Sequence, residues 1–384
     1  MASSYVALGS AAPRTLSEKL WRVNWAVLIV AGAIAAIGCA ALYSVTGSFQ
    51  PWAERHALRY LVALAIVVAM AMVRPQIWLR AAYPAYALAM IALALVPFLG
   101  TEALGARRWL ALGGVNFQPA ELMKLALIAA LAGYYQWLPG ERVSRPAWVL
   151  VPLVMIAIPV ALTLRQPDLG TAVLFGVVGL TLMYLAGVSL LYFAAGIGAG
   201  VAAAPVVWAN LHDYQRRRIE TFLNPDLDPL GAGYHIAQSK IAIGSGGLSG
   251  KGFLLGTQSQ LDFVPEKHTD FILTILGEEW GFVGLALLIG LFALLLLLIM
   301  MMAWRCKNRF GRLIISGAAV SLFVYVFINI AMVMGMVPVV GIPLPLVSYG
   351  GTSMMTLMIG LGLAMSAHVH GAEGIRRSEI GRFL

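Results

Sequence analysis

The chain has 384 residues, of which 60% are hydrophobic and 11% charged, with a formal net charge of +9 and a mean hydropathy of +0.85. A soluble globular domain carries about 25% charged residues, so the composition excludes one and points to an all-α polytopic membrane protein. The excess of Lys and Arg reads as topology and contact with anionic lipid, not as nucleic-acid binding.

Arg14, Lys19 and Arg22 precede the first apolar run, which ends without a small-residue cleavage site. A retained first span is therefore expected rather than a signal peptide. About ten runs have the length that crosses a hydrocarbon core of about 30 Å. They centre on 25–45, 57–73, 81–99, 119–137, 147–164, 169–187, 190–208, 271–303, 313–336 and 349–368. Together they predict a single transmembrane domain over 1–384, with one long extracytoplasmic loop at 209–270. Arg74, Arg80, Arg142, Arg145 and the Arg305–Arg312 stretch fall on one side, while the short loops opposite hold only Arg55, Arg59, Arg107, Arg108 and Arg165. Short cytoplasmic loops carry the excess of positive charge, so both termini are expected in the cytoplasm; long loops cross largely regardless of charge. Cys39 in the first span and Cys306 in a cytoplasmic loop cannot form a disulfide framework.

Four outward-facing polar stretches break the hydrophobic pattern: 100–124, 165–171, 209–270 and 337–353. A composite site assembled from separate loops would lie there. In the first, Arg107 and Arg108 offer guanidinium forks suited to phosphate oxygens and Trp109 a ring that could stack on a sugar or sit at the interface; the three equally form an ordinary interfacial Arg–Trp belt. Glu121 and Lys124 stand three apart at the start of a span, where they either serve a reaction or neutralise each other as a structural pair. Asp168, after Pro167, is placed to cap the next helix. In the long loop, Arg216, Arg217 and Arg218 and the glycines of 244–252 supply donors that a diphosphate would need. Between them, 233–243, which contains Lys240, has helical spacing and is expected along the interface. The stretch 337–353, rich in Pro and Gly and containing Ser348, breaks the start of the last span; irregular backbone at membrane depth lines a cavity or is buried in protein.

The densest group of ionisable residues is Asp262, Glu266, Lys267, His268 and Asp270, at the threshold of the run that begins at 271. Thr269 or Asp270 would make a good N-cap. The acidic residues exceed what capping requires, and Glu278 and Glu279 follow inside the apolar run. A carboxylate near a hydroxyl can act as general base, and carboxylates with His can hold a divalent cation. On chemistry alone Asp262 and Asp270 are equally placed to be the base.

These residues, in this order, resemble the SEDS family (shape, elongation, division and sporulation), most closely its RodA branch. The resemblance runs from the first span to Ser353 and is most specific at Gly105 to Lys124, Arg165 to Thr171 and Tyr234 through Glu279. Gly256–Gln260 leading into Pro265–Phe271 resembles the RodA form rather than that of FtsW. Ala120 stands where the family often has Ser, and Trp280 where an aliphatic residue is common.

The resemblance implies a peptidoglycan glycosyltransferase that polymerises lipid II outside the bacterial inner (cytoplasmic) membrane with a class B penicillin-binding protein. The family's essential aspartate matches Asp270, and Asp262 matches its acidic position eight residues earlier. An inverting transfer is implied, with Asp270 as base. Arg108, with Lys124 or the Arg216–Arg218 cluster, would stabilise the departing diphosphate, helped by a divalent cation (Mg or Mn). The rival readings are a transporter that flips lipid-linked precursor and a non-catalytic scaffold for the partner synthase. Transport favours internal repeats, and none is visible.

Overall fold

The computed structural model describes residues 15–103, 106–112, 115–210, 216, 220–224, 232–260 and 267–371. A short helix α1 (Leu16–Arg22) opens with a capping box in which the Thr15 hydroxyl accepts from Glu18 N and the Glu18 carboxylate from Thr15 N. Next come α2 (Trp25–Thr46), α3 (Trp52–Met72), α4 (Pro75–Leu99), α5 (Pro119–Trp137), α6 (Pro146–Arg165), α7 (Leu169–Leu185) and α8 (Leu190–Ala209). The long loop contains α9 (Ala232–Gly246) and α10 (Thr257–Gln260), and the chain ends in α11 (Ile272–Arg305), α12 (Arg309–Val333) and α13 (Gly351–Val369). Each of the ten predicted runs coincides with a helix, that at 271–303 being broken at Gly281.

Seven of the described helices, α2, α3, α4, α6, α11, α12 and α13, are long and apolar enough to cross a membrane. The protein is a multi-pass membrane protein. Of the others, α5 carries Glu121 and Lys124 in its first turns, and α7 has 17 residues. The stretch 100–124, expected only as a polar loop, also carries a three-stranded antiparallel sheet: β1 (Thr101–Ala103), β2 (Ala106–Leu112) and β3 (Val115–Phe117), in the order β1-β2-β3. β1 and β3 have three residues each, too few to show alternation, and β2, with seven, does not alternate apolar and polar residues.

Two apolar cores share α12. Ile315, Ala319, Leu322 and Val326 pack with α2, α3, α11 and α13; Phe310, Leu313, Ile314 and Tyr325 pack with α4, α5, α6 and α7. Large apolar side chains on α4, α6, α8 and α11 remain exposed, as expected of surfaces facing lipid. At one end of the bundle Lys19 Nζ donates to Met72 O (3.1 Å) and Ser366 Oγ to Val73 O (2.7 Å). At the same end Arg309 donates to the carbonyls of Leu138 (3.0 Å) and Ala186 (2.9 Å). These bonds gather the basic loops on one face, and α12 runs from there to the 337–350 segment at the other.

Candidate active site

Tyr325 and Asn329 lie four residues apart on α12, and so on one face of it. Lys124 Nζ donates to the Tyr325 hydroxyl and, at 2.7 Å, to Glu121 Oε1. One turn further on, Asn329 Nδ2 donates to the carbonyls of Asp270 (2.9 Å) and Ile342 (2.7 Å). Asn329 is fully buried, where an amide left without partners is costly. A single helix face thus holds the α5 ion pair, the start of α11 and the 337–350 segment together. Sequence reasoning missed both residues, although polar side chains in an apolar span usually face the bundle interior.

Asp270 sits in the turn that precedes α11, half-buried. The N-cap of that helix is Phe271, with no side-chain capping bond. Neither Thr269 nor Asp270 caps it, contrary to expectation, because the turn extends one residue beyond them. The Asp270 carboxylate faces the 337–350 segment: a Cβ on Gly341 would stand 3.3 Å from its Oδ2. The neighbouring residues of that segment press on α7. A Cβ on Gly170 would lie 2.9 Å from Ile342 Cγ1 and 3.2 Å from Val340 O, so only glycine allows this approach.

Asp168 is buried at the N-terminus of α7 and accepts from Thr171 N (3.1 Å) and Thr171 Oγ1 (2.9 Å). It is the predicted cap, and its charge favours that helix end. Arg108 reaches the same turn, with Nε donating to Gln166 O (3.3 Å) and Nη2 to Pro167 O. Successive side chains of a strand point to opposite faces, so β2 separates Arg108 from Arg107, which is exposed. Trp109, partly buried, pairs across the sheet with Thr101.

His268 and Ser348 belong to the same wall. Tyr349 N donates to His268 O (2.8 Å), and Leu344 N donates to Ser348 Oγ (2.8 Å), which closes a turn. From α3, the Trp52 ring lies 4.8 Å from that of His268 and 4.4 Å, edge-on, from Tyr349. The Arg59 guanidinium sits 4.7 Å over Tyr349, and His56 Nε2 lies 3.0 Å from Leu346 O. Trp52, His56 and Arg59 were also missed. Two ionisable side chains in an apolar run were the available signal.

Lys240, exposed on α9, lies over the end of α12, where a Cβ on Gly335 would be 2.8 Å from its Cε. Arg216 instead folds back on α8, with Nη2 donating to Trp208 O (3.2 Å) and its guanidinium 5.8 Å from the Trp208 ring centroid. Arg217, Arg218, Asp262 and Glu266 lie outside the described residues. Asp270, Asp168, Arg108, Lys124, Glu121, His268, Ser348 and Lys240 are thus brought to one end of the bundle. A half-exposed carboxylate there shares a scaffold with a buried ammonium and a guanidinium, a pairing suited to removing a proton while anionic charge develops nearby.

Residues 18–373 match the sequence profile of the FtsW, RodA and SpoVE family, described as cell cycle proteins. The chain is 43% identical over 347 residues to the peptidoglycan glycosyltransferase MrdB of Escherichia coli K12, covering 90% of this chain and 93% of the relative. It is 38% identical over 296 residues to a probable peptidoglycan glycosyltransferase FtsW of Trichlorobacter lovleyi, covering 76% of each. Among solved structures, it superposes with a TM-score of 0.81 at 32% identity on a chain from a peptidoglycan synthase complex coordinating polymerization and crosslinking, covering 91% of this chain and 99% of that one. The rod shape determining protein RodA of Thermus thermophilus gives 0.69 at 28% identity, covering 91% and 98%. The Asp270 turn, the α5 ion pair and the capped α7 therefore sit in a shared fold, and the chain belongs to the FtsW, RodA and SpoVE family, the SEDS family, on its RodA side.

Proposed function

We propose that this protein is a peptidoglycan glycosyltransferase that polymerises lipid II into glycan strands on the outer face of the bacterial cytoplasmic membrane during cell elongation. Both termini lie in the cytoplasm in this reading, and a class B penicillin-binding protein is its partner. The observation that carries it is the α12 face on which Asn329 holds the Asp270 segment and Tyr325 meets Lys124. A base and a cation fixed to one rigid element keep their spacing as substrate binds, which is what orientation contributes to a transfer reaction.

In the proposed step a GlcNAc hydroxyl of incoming lipid II attacks the anomeric carbon of the growing strand. The new C–O bond forms as the bond to the carrier diphosphate breaks, with inversion. The diphosphate leaves with the bonding electrons, and the hydroxyl proton passes to the Asp270 carboxylate. Arg108, Lys124 and Lys240 lower the energy of the departing anion, and Trp109 packs against substrate at the membrane surface. Asp168, Glu121, His268 and Ser348 shape the wall through the bonds described above.

Among the described residues no group of three His, Cys, Asp or Glu converges as a metal cage. Mg²⁺ is commonly held by one or two carboxylates together with substrate phosphate oxygens, and the Asp270 carboxylate fits that role. Such a cation would supply positive charge to the leaving diphosphate.

The test is polymerisation of lipid II by the purified protein with its partner, comparing wild type with Asp270→Asn, with and without chelator. The variant is expected to fold and bind its partner while forming no glycan. Glycan made at the wild-type rate by Asp270→Asn would overturn the assignment. Lipid II moved across vesicles without strand growth would favour the transporter instead.

A further inference from the structure

Helix α11 is broken one-third of the way along. At Gly281 the backbone takes φ 64° and ψ −160°, a conformation open essentially to glycine alone. The segment 272–280, which follows Asp270, is thereby uncoupled from 282–305. The stretch between α9 and α10 runs along the break. Lys251 N donates to Glu278 O (3.0 Å) and Gly252 N to Glu279 O (3.0 Å), while Phe282 N donates to Gly247 O (2.9 Å) and Val283 N to Leu248 O (3.1 Å). These bonds give partners to backbone groups that lost their helical ones, which a membrane interior requires.

A second set of contacts goes beyond backbone repair. Glu278 is fully buried. Its Oε1 accepts from Lys251 Nζ (2.7 Å) in the splinting stretch and from Thr257 Oγ1 (3.1 Å) and Gln258 N (3.0 Å) at the start of α10. A buried carboxylate is stable only with such compensation, so loss of any donor weakens the attachment of 247–258 to 272–280. The adjacent Glu279 bridges two elements, accepting from the Ser44 hydroxyl on α2 and from the backbone amides of Leu254 and Gly256 in the splinting stretch. The short helix 272–280 is therefore held by Asn329 near its start and by the Glu278 and Glu279 contacts near its end, of which only those of Glu278 include a cation.

We infer that Glu278 is a positioning residue for the transfer reaction: clasped by Lys251 and Thr257, it sets the pose of the broken helix and hence of Asp270, eight residues earlier. It touches no substrate and acts through the segment it anchors. The inference rests on the reading of Asp270 as the base.

The experiment compares full-length wild type, Lys251→Met, Lys251→Arg, Glu278→Gln and Asp270→Asn, each with its partner synthase. It measures lipid II polymerisation over a range of concentrations and hydrogen exchange across 267–276. Lys251→Met and Glu278→Gln are expected to lose about 100-fold in kcat, the scale of a misplacement of about 1 Å, with KM little changed. Exchange across 267–276 should quicken in both, whereas Lys251→Arg should restore rate and protection. Asp270→Asn should lose activity with exchange unchanged. A Lys251→Met protein with wild-type kcat overturns the inference, whatever its exchange. Glu278→Gln failing to fold would leave the decision to Lys251→Met, whose parent side chain is 27% exposed. A wild type that forms no glycan would sink the reading of Asp270, and unchanged exchange in Lys251→Met would still sink the clasp.

Discussion

Lys124 is 4% exposed and bonds to both Glu121 and Tyr325. Removing one partner of a buried pair strands the other charge. Lys124→Met is therefore expected to destabilise the fold by about 3–5 kcal/mol, read as a lower Tm in detergent. Adding Glu121→Gln should recover most of that stability but none of the polymerisation, which separates the structural role of the pair from the reactive one. Recovery of activity in the double variant would show that the ammonium serves only the fold. The pair was legible in sequence because two charges three apart stand out in an apolar run. Tyr325 and Asn329 were not, since a phenol and an amide in an apolar helix carry no formal charge to mark them. Their importance comes from carbonyls and an ammonium supplied by distant segments.

The elements that meet at the site are joined by close approaches of backbone. The 340–342 segment passes between Asp270 and the first turn of α7, with Gly170 leaving room for Ile342 and Val340. Gly170→Val would push that segment away from α7 at a cost of about 1–3 kcal/mol. Polymerisation should fall more than stability does, because the displaced segment also borders the Asp270 carboxylate. An active variant with a normal Tm would refute this link. The ten apolar runs were readable as helices, seven of them long and apolar enough to cross a membrane. The break at Gly281 was not: hydrophobicity runs on unchanged through it, and what permits it is a backbone conformation and a partner stretch from elsewhere in the chain. The sheet escaped for a different reason: β1 and β3 have three residues each and β2 does not alternate apolar with polar residues. Capping at Asp168 was legible because the signal is local, whereas at the start of α11 the turn extends one residue further than the sequence signal suggests, to Phe271.

For the molecule as a whole, the basic loops cluster at one end and the candidate site at the other. In a Cys39→Ser/Cys306→Ser background, a membrane-impermeant thiol reagent applied from outside should label Ala111→Cys and spare Ser144→Cys until the membrane is opened. The reverse pattern would invert the orientation. The helix α12 belongs to both apolar cores and carries the two side chains that tie the site together. The halves of the bundle therefore cannot drift apart in evolution: a change on α12 is judged by both neighbourhoods at once, while lipid-facing α8 is free to vary. A compound wedged against that shared face would leave the cell few viable routes of escape.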